Sequence, residues 1–389
     1  MTAASRIQAV LATDAHADAI AAFYRQVWSP DAAAGAVLAS RRRAATLNIA
    51  VPGEAPPVAL VLDGSHIIGY CGSIPQRLWD GVAEHAAYWV KGLMVLPEYR
   101  SGPIGFLVVK QLAAQLPLST TLAVAPAARR LFSALGYTDL GAVANFVRPL
   151  RPAQLAERLD PTGLGLGGLG GWVTASVRVA QGTGLAGVAG AAAGVVLDLA
   201  AAAARRAVTR FATECALEVP SWEELDDLWR CARPVLGASP VRDGLYLRSR
   251  FGTHGAAGDG QPYAFVTVRE RAGLAGIAVL RQPKATSDAR LRGLRVATIS
   301  DIVFPPERVD AGLAVLGGVE RAARAAGADA ILCTTGHRAL ARLLKRQAYF
   351  RLPGNMHFFL RDTRSGARWP QDLASWWLAR GDGESDEVF

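Results

Sequence analysis

Apolar positions along this chain switch repeatedly between a period near two and a period near 3.6. Ile7–Leu11 reads as a short strand. A helical pattern from about Ala15 to Trp28 follows it, with Asp14 placed to cap the first turn. Val58–Leu62 and Ile67–Gln76 predict two further strands. The run Tyr88–Val95 predicts another, which stops at Pro97. A turn carrying Arg100, Gly102 and Gly105 then hands over to an apolar helix pattern from Ile104 to Leu116, closed by Pro117. After residue 212 the alternation resumes. Cys215–Val219 precedes Ser221-Trp222-Glu223-Glu224, a Ser-x-x-Glu capping box at the head of a helix, and strand runs follow at Tyr263–Val268 and Gly273–Leu280.

The second set of elements echoes the first. Val95-Leu96-Pro97 has its counterpart in Val303-Phe304-Pro305, and Ile68-Gly69 in Ala275-Gly276. Leu131-Phe132 through Gly136-Tyr137 corresponds to Leu343-Leu344 through Ala348-Tyr349, and Phe146 to Phe358. Landmarks that recur in one order at nearly constant separation imply one domain duplicated once. The expected organisation is a first domain over 1–150, a Gly/Ala-rich helical linker over 151–212, and a second domain over 213–389.

The turn after Val95 carries the first chemical signal. A strand that passes into a helix through a glycine-bearing turn offers free backbone N–H groups at the positive end of a helix dipole, a seat for phosphate or pyrophosphate.

Pro97-Glu98-Tyr99-Arg100-Ser101-Gly102-Pro103-Ile104-Gly105 resembles the acyl-CoA loop of the GNAT (GCN5-related) N-acyltransferases, Arg/Gln-x-x-Gly-x-Gly/Ala after a strand. Downstream, Ala128-Arg129-Arg130-Leu131-Phe132 through Gly136-Tyr137 is similar to the family's second signature, Ala-x-x-Leu-Tyr-x-x-x-Gly-Phe. The resemblance covers residues 1–150. It implies an α/β (α+β) fold class of two tandem GNAT-like domains, each a mixed, mostly antiparallel splayed sheet flanked by helices. It also implies acyl-CoA, acetyl-CoA foremost, as co-substrate without a metal, and direct transfer to an amine on a small molecule, sugar or peptide. The backbone of Met94 and Val95 would pair with the pantetheine arm. The amides of Ser101, Gly102, Ile104 and Gly105, with Arg100 beside them, would hold the pyrophosphate.

This sequence departs from the family pattern at three places. Pro103 stands where a glycine amide is usual and has no N–H to give. Phe132 replaces the tyrosine that protonates the departing thiolate, and Ala125 replaces an asparagine. Tyr137 falls on the family's Phe position and reads as core. Glu84 and His85, ahead of the Tyr88–Val95 strand, are candidate general bases, set against the reading of strand-end polar groups in solvent. In the second half the corresponding turn, Pro306-Glu307-Arg308-Val309-Asp310, carries two acids that would repel a pyrophosphate, so no acyl-CoA is expected there. Asp301 is the base candidate of that half, against the reading of a strand-end capping residue. His337, at the asparagine position, reads as a satisfied histidine.

Tandem GNAT-like halves also resemble mycothiol-synthase-like enzymes and transferases of cell-surface polymer synthesis. The segment Trp376-Trp377-Leu378-Ala379-Arg380-Gly381-Asp382 is similar to the ending of GNAT-like proteins from polysaccharide gene clusters. Two rival functions stay open: a catalytically inactive binding or scaffold protein of such a system, and an aminoacyl-tRNA-dependent transferase.

Composition narrows the field. The 389 residues carry a formal charge of +9, almost all of it on arginine, since Lys91, Lys110, Lys284 and Lys345 are the only lysines. The arginines are scattered without interleaved aromatics, which argues against nucleic acid as a partner. Cys71, Cys215, Cys231 and Cys333 share no metal or disulfide spacing, and the first residues lack the layout of a signal peptide, so a cytoplasmic enzyme is expected. Two uncharged runs, Pro161–Val177 and Val179–Leu197, stand between the halves. Gly165, Gly167 and Gly170 match Gly-x-Gly-x-x-Gly, but no strand precedes them as a dinucleotide site requires. The second run, with Gly190-x-x-x-Gly194, admits three readings: a membrane span, a peripheral membrane helix with Arg205, Arg206 and Arg210 at the headgroups, or a linker helix packed on the domains. The last is expected, with peripheral membrane contact through 161–210 as the alternative.

Overall fold

The computed structural model describes residues 7–122, 124–158, 175, 178–179, 181–182, 186–206, 214–252, 263–285, 293–364 and 368–383. The first part of the chain forms strands β1 (Ile7–Leu11), β2 (Ala59–Asp63), β3 (His66–Trp79), β4 (Glu84–Val95) and β5 (Leu118–Thr121). Its helices are α1 (Ala17–Val27), α2 (Ala34–Thr46), α3 (Ile104–Ala113) and α4 (Pro126–Ala134). There follow β6 (Thr138–Pro149), α5 (Pro152–Arg158), α6 (Ala186–Arg206), β7 (Glu214–Leu217), α7 (Trp222–Leu236), β8 (Ser239–Pro240) and α8 (Gly244–Phe251). The remainder is β9 (Tyr263–Glu270), β10 (Gly273–Ala285), β11 (Arg295–Val303), α9 (Val309–Ala325), β12 (Ala330–Thr335), α10 (Arg338–Arg346) and β13 (Phe350–Asp362).

Two compact units emerge. The first takes residues 1–78, 84–141 and 356–368; the second takes 79–83, 142–355 and 369–389. These do not follow the expected cuts at 150 and 212, because the last strand of each half is exchanged. Phe359–Asp362 of β13 pair with β5 in the first unit, while Ala144–Pro149 of β6 pair with β12 in the second. The strand orders are therefore β1-β2-β3-β4-β5-β13 and β6-β12-β11-β10-β9-β7. In each unit one parallel pair interrupts antiparallel neighbours: β4 with β5, and β11 with β12.

Local chemistry explains the elements. Ser221 caps α7 by accepting from the Glu224 amide at 3.2 Å, and Glu224 accepts from the Ser221 amide at 2.9 Å, the reciprocal box that the sequence predicts. At the head of α1 the cap differs from the expectation. Thr13, not Asp14, makes the turn's local bonds, its amide donating to His16 Nδ1 at 3.1 Å, and Asp14–His16 form a 3₁₀ turn ahead of the helix. In the first unit α3 buries Ile104, Val108, Val109 and Leu112, each worth roughly 1.5–3 kcal/mol relative to exposure. Gly69 lets that helix come close, and Gly276 does the same for α9: an added Cβ would lie 2.7 Å from Ile104 Cγ2 and 2.9 Å from Val315 Cγ2, respectively.

Of the described residues between 151 and 212, helix α6 belongs to the second unit. Asp198 of α6 pairs with the buried Arg148 at 2.6 Å and with Arg324 at 2.8 Å. Burial opposes ionisation of Glu320, but Arg148, Arg324 and Arg205 outweigh it and hold the carboxyl below its ordinary value. Gly190 and Gly194 serve the contact with α5: a Cβ on Gly190 would meet the Pro152 carbonyl oxygen at 2.6 Å. Among the described residues no helix is long and apolar enough to cross a membrane. The Gly165–Gly170 pattern and Arg210 lie outside the described residues.

Candidate functional site

In the first unit β4 is buried over Ala87–Val90 and half-exposed over Lys91–Val95. Its parallel pairing with β5 ends at Trp89↔Thr120, so the two strands part beyond that point. Gly92 sits in the left-handed region (φ 60°), a conformation glycine adopts without strain. The strand end is fixed by the Leu96 amide, which donates to the Ile68 carbonyl at 3.1 Å, and by Tyr99, whose hydroxyl donates to Asp63 at 3.1 Å. A 3₁₀ turn over Pro97–Tyr99 leads to α3, which has no acid in its first turn.

The first intrahelical bond of α3 runs from the Leu107 amide to the Pro103 carbonyl, 2.9 Å. The amides of Ile104, Gly105 and Phe106 precede it and are the orphan donors of this helix start. Pro103 is the N-cap residue, where a missing N–H costs the helix nothing. The Gly102 amide donates to the Tyr99 carbonyl at 3.1 Å, so the turn itself uses that predicted donor. Arg100 folds back, its Nε donating to the Val95 carbonyl at 3.0 Å, and Ser101 is exposed beside it. Met94, Val95, Arg100, Ser101, Gly102, Ile104 and Gly105 thus stand along one strand end, turn and helix start. Gly105 has room: an added Cβ would make only ordinary contact, 3.4 Å from Leu131 Cδ1.

The base candidates lie at the far end of β4. Glu84 is half-buried and accepts from Arg77 at 2.8 Å. His85 is its neighbour in sequence and projects from the opposite face of the strand. At the family's acid position Phe132 is buried, edge-on to Tyr137 at 5.1 Å between centroids. Tyr137 is core as expected. Burial pushes its hydroxyl up to about 12, against the hydrogen bond with Ser119.

A polar group that the sequence did not single out lies on the face of β3 covered by α1. The Tyr24 hydroxyl donates to Tyr70 at 2.9 Å. A Cβ on Gly72 would lie 3.1 Å from the Tyr70 hydroxyl and 3.6 Å from Lys91 Cγ, which places both beside the half-exposed part of β4. Tyr24 at the end of a helix stripe and Tyr70 in an alternating strand carry no signal of pairing until the two are packed. A cavity of about 280 Å³ opens further along, lined by Phe23 and Gln26 of α1, by His66 and Ile68, and by Glu98 and Tyr99 of the turn.

The second unit differs at each corresponding point. Ile299–Val303, the counterparts of Lys91–Val95, are all buried. At the start of α9 the anion seat is taken by the chain's own carboxylate. Arg308 at 2.8 Å holds the Asp310 carboxyl below its ordinary value despite partial burial, and backbone bonds from Ala311 and Asp310 itself help. Arg308 also pairs with Glu270 at 2.5 Å. Asp301 is fully buried, accepting from Arg242 Nε at 2.7 Å, while Arg242 also donates to Asp382 at 2.8 Å. Burial, with Asp382 adding repulsion, pushes the Asp301 carboxyl up to about 6 against the pull of Arg242. His337 is buried too, its ring tilted against Trp377 with centroids 4.7 Å apart, and burial and Arg338 push it down to about 4.

No family model and no curated protein matches the chain. Solved structures do. It is similar to a GCN5-related N-acetyltransferase from Anabaena variabilis (TM-score 0.56, 12% identity, 92% of this chain and 73% of that one). It is also similar to one from Kribbella flavida (TM-score 0.52, 14% identity, 92% and 71%). N-myristoyltransferase of Saccharomyces cerevisiae, solved with bound myristoyl-CoA, aligns over 97% of this chain and 85% of its own (TM-score 0.52, 12% identity). The fold of this chain is that of the GCN5-related N-acetyltransferases.

Proposed function

We propose that the protein is an acyl-CoA-dependent N-acyltransferase, acetyl-CoA being the first donor to test, with a single donor site in the first unit. One contrast carries the reading. The first unit joins a half-exposed, parting β4 edge to a helix start free of acids, whereas the second buries the same edge and fills its helix start with Asp310. We read the second unit as a duplicated, degenerate copy on the same ground.

In this reading the amides of Ile104, Gly105 and Phe106, with Ser101 beside them, receive the pyrophosphate at the positive end of α3. The backbone at Met94 pairs with the pantetheine arm as an added strand would, beside Val95, whose carbonyl Arg100 holds. The thioester supplies an activated acyl carbon. The chain must take a proton from the acceptor amine and return one to the departing sulfur. Glu84 and His85, seven and six residues before Lys91 on β4 and so roughly 20 Å along the strand from it, are out of reach for the first task, and the base is to be sought nearer Lys91. The Tyr24–Tyr70 hydroxyl pair beside Lys91 is proposed for the second, because Phe132 has no proton to give. Asp301 has no part in this proposal, being buried and paired with Arg242.

Calorimetric titration with acetyl-CoA, CoA and a longer acyl-CoA tests it. One saturable site per chain supports the donor assignment, and absence of binding at millimolar ligand defeats it. The buried Phe132 favours a second reading, a protein that binds acyl-CoA without transfer. Donor binding with no thiol release on any amine would establish that one.

A further inference from the structure

We infer that Trp376–Asp382 is the built-in occupant of the groove where β11 and β12 part, so that the chain itself fills the second unit's counterpart of the donor groove. The parallel pairing of these strands ends at Ile299↔Cys333. The next carbonyl on β11, that of Ser300, accepts from the Gly381 amide at 2.6 Å, and the Ile302 carbonyl accepts from Trp377 Nε1 at 2.8 Å. On the β12 side Arg380 reaches Thr334 Oγ1 at 3.3 Å, and Trp377 lies against His337. The segment therefore bonds to both strands on the two sides of their divergence, which is where a ligand added to β11 would have to lie.

Three further observations show that this occupancy is built rather than incidental. Trp376, Trp377, Leu378, Arg380 and Asp382 are each no more than 1% exposed. Arg242 bridges Asp382 to Asp301 inside the unit, and Asp382 Oδ2 also accepts from the Ala379 amide at 2.8 Å, which fixes the segment's bend. Gly381 is there because nothing larger fits: an added Cβ would stand 2.7 Å from the Ser300 carbonyl oxygen and 2.7 Å from the Phe251 ring. A carbonyl oxygen on a central strand cannot step aside as a flexible side chain can. The role of Asp301 follows. It is one end of the clamp that holds the occupant.

Hydrogen exchange on the full chain, read by mass spectrometry, tests the inference without any ligand. In the wild type, peptides covering 376–383 should exchange at least about 100-fold more slowly than an unstructured chain. Exchange at the unstructured rate would overturn the inference. In Gly381→Ala, peptides covering 376–383 and 299–303 should speed up together, by about tenfold or more, while 60–71 in the first unit stay unchanged. Release of 376–383 with 299–303 still protected would show that something else covers β11 and would overturn it as well. Should Gly381→Ala fail to fold, Asp382→Asn weakens the clamp without adding bulk, and the same paired readout decides. The description of this groove as a donor-groove counterpart rests on the proposed function. Titration separates the two: a second acyl-CoA site in the wild type contradicts the occupancy, whereas absence of any site contradicts only the donor assignment.

Discussion

Gly69 lies directly beneath Ile104, so close that a single methyl group on the glycine would reach to 2.7 Å of Ile104 Cγ2. The first residue of α3 rests on the bare backbone of β3, and the height of the helix start above the sheet is set there. Gly69→Ala should destabilise the protein by about 1–3 kcal/mol through overpacking. It should also weaken acyl-CoA binding, because the orphan amides tilt with the helix. Ile104→Ala removes the clashing methyl, so the double variant should lose less stability than the two single losses combined. Urea unfolding of the three variants measures the coupling.

Gly102 is exposed, and an added Cβ meets only the Tyr99 carbonyl oxygen at an ordinary 3.5 Å. Gly102→Glu should therefore fold normally while placing a negative charge at the pyrophosphate seat. Affinity for acyl-CoA should fall by tenfold or more, about 1.4 kcal/mol at least, with an unchanged melting temperature. Unaltered affinity in calorimetry would move the donor away from this turn.

Tyr70→Phe removes a hydroxyl that Tyr24 donates to and leaves the ring stacked on Phe23, 6.0 Å between centroids. If the pair returns the proton to sulfur, kcat should drop by roughly 10²-fold or more, with donor affinity unchanged. Equal loss of donor binding and turnover would instead assign Tyr70 to packing.

Two buried groups in the second unit titrate with opposite signs. Asp301 is raised from 3.8 to about 6, so its contribution to stability is complete below pH 4 and is lost as pH rises through 6. His337 is lowered from 6.5 to about 4, so its contribution is present above pH 6.5 and is lost as pH falls toward 4. Between pH 4 and 6.5 the two oppose each other. Asp301→Asn should leave a stability that climbs with pH across this window, and His337→Gln one that declines. Urea midpoints at several pH values read the slopes directly.

What the sequence made legible was whatever short-range chemistry decides. The strand–turn–helix run from Tyr88 to Leu112 and the Ser221/Glu224 box are written in local spacing, and both stand in the structure. Val95-Leu96-Pro97 and Val303-Phe304-Pro305 both end the strand that parts from its parallel neighbour. What stayed hidden depends on partners. The landmarks Phe146 and Phe358 set β6 and β13 in corresponding places but say nothing of which edge each one joins. Gly190 and Gly194 announce close packing, yet only the folded chain shows that Pro152 is what comes close. Asp301 reads as a base or as a strand-end cap until Arg242, distant in sequence, is placed against it. The Tyr24–Tyr70 pair escaped for the same reason.

The exchange of β6 and β13 has a consequence for how the protein is made. The first unit's sheet is finished by Phe359–Asp362, so the edge of β5 stays unpaired until those residues have been synthesised. At about 5–20 residues per second, that is a wait on the order of ten seconds or more after Pro149 is made. An N-terminal fragment cut at residue 150 would keep its turn and helix start while presenting a bare strand edge to other chains. The part that looks like a self-sufficient domain is, on the ribosome, a half-closed one that a much later strand must complete.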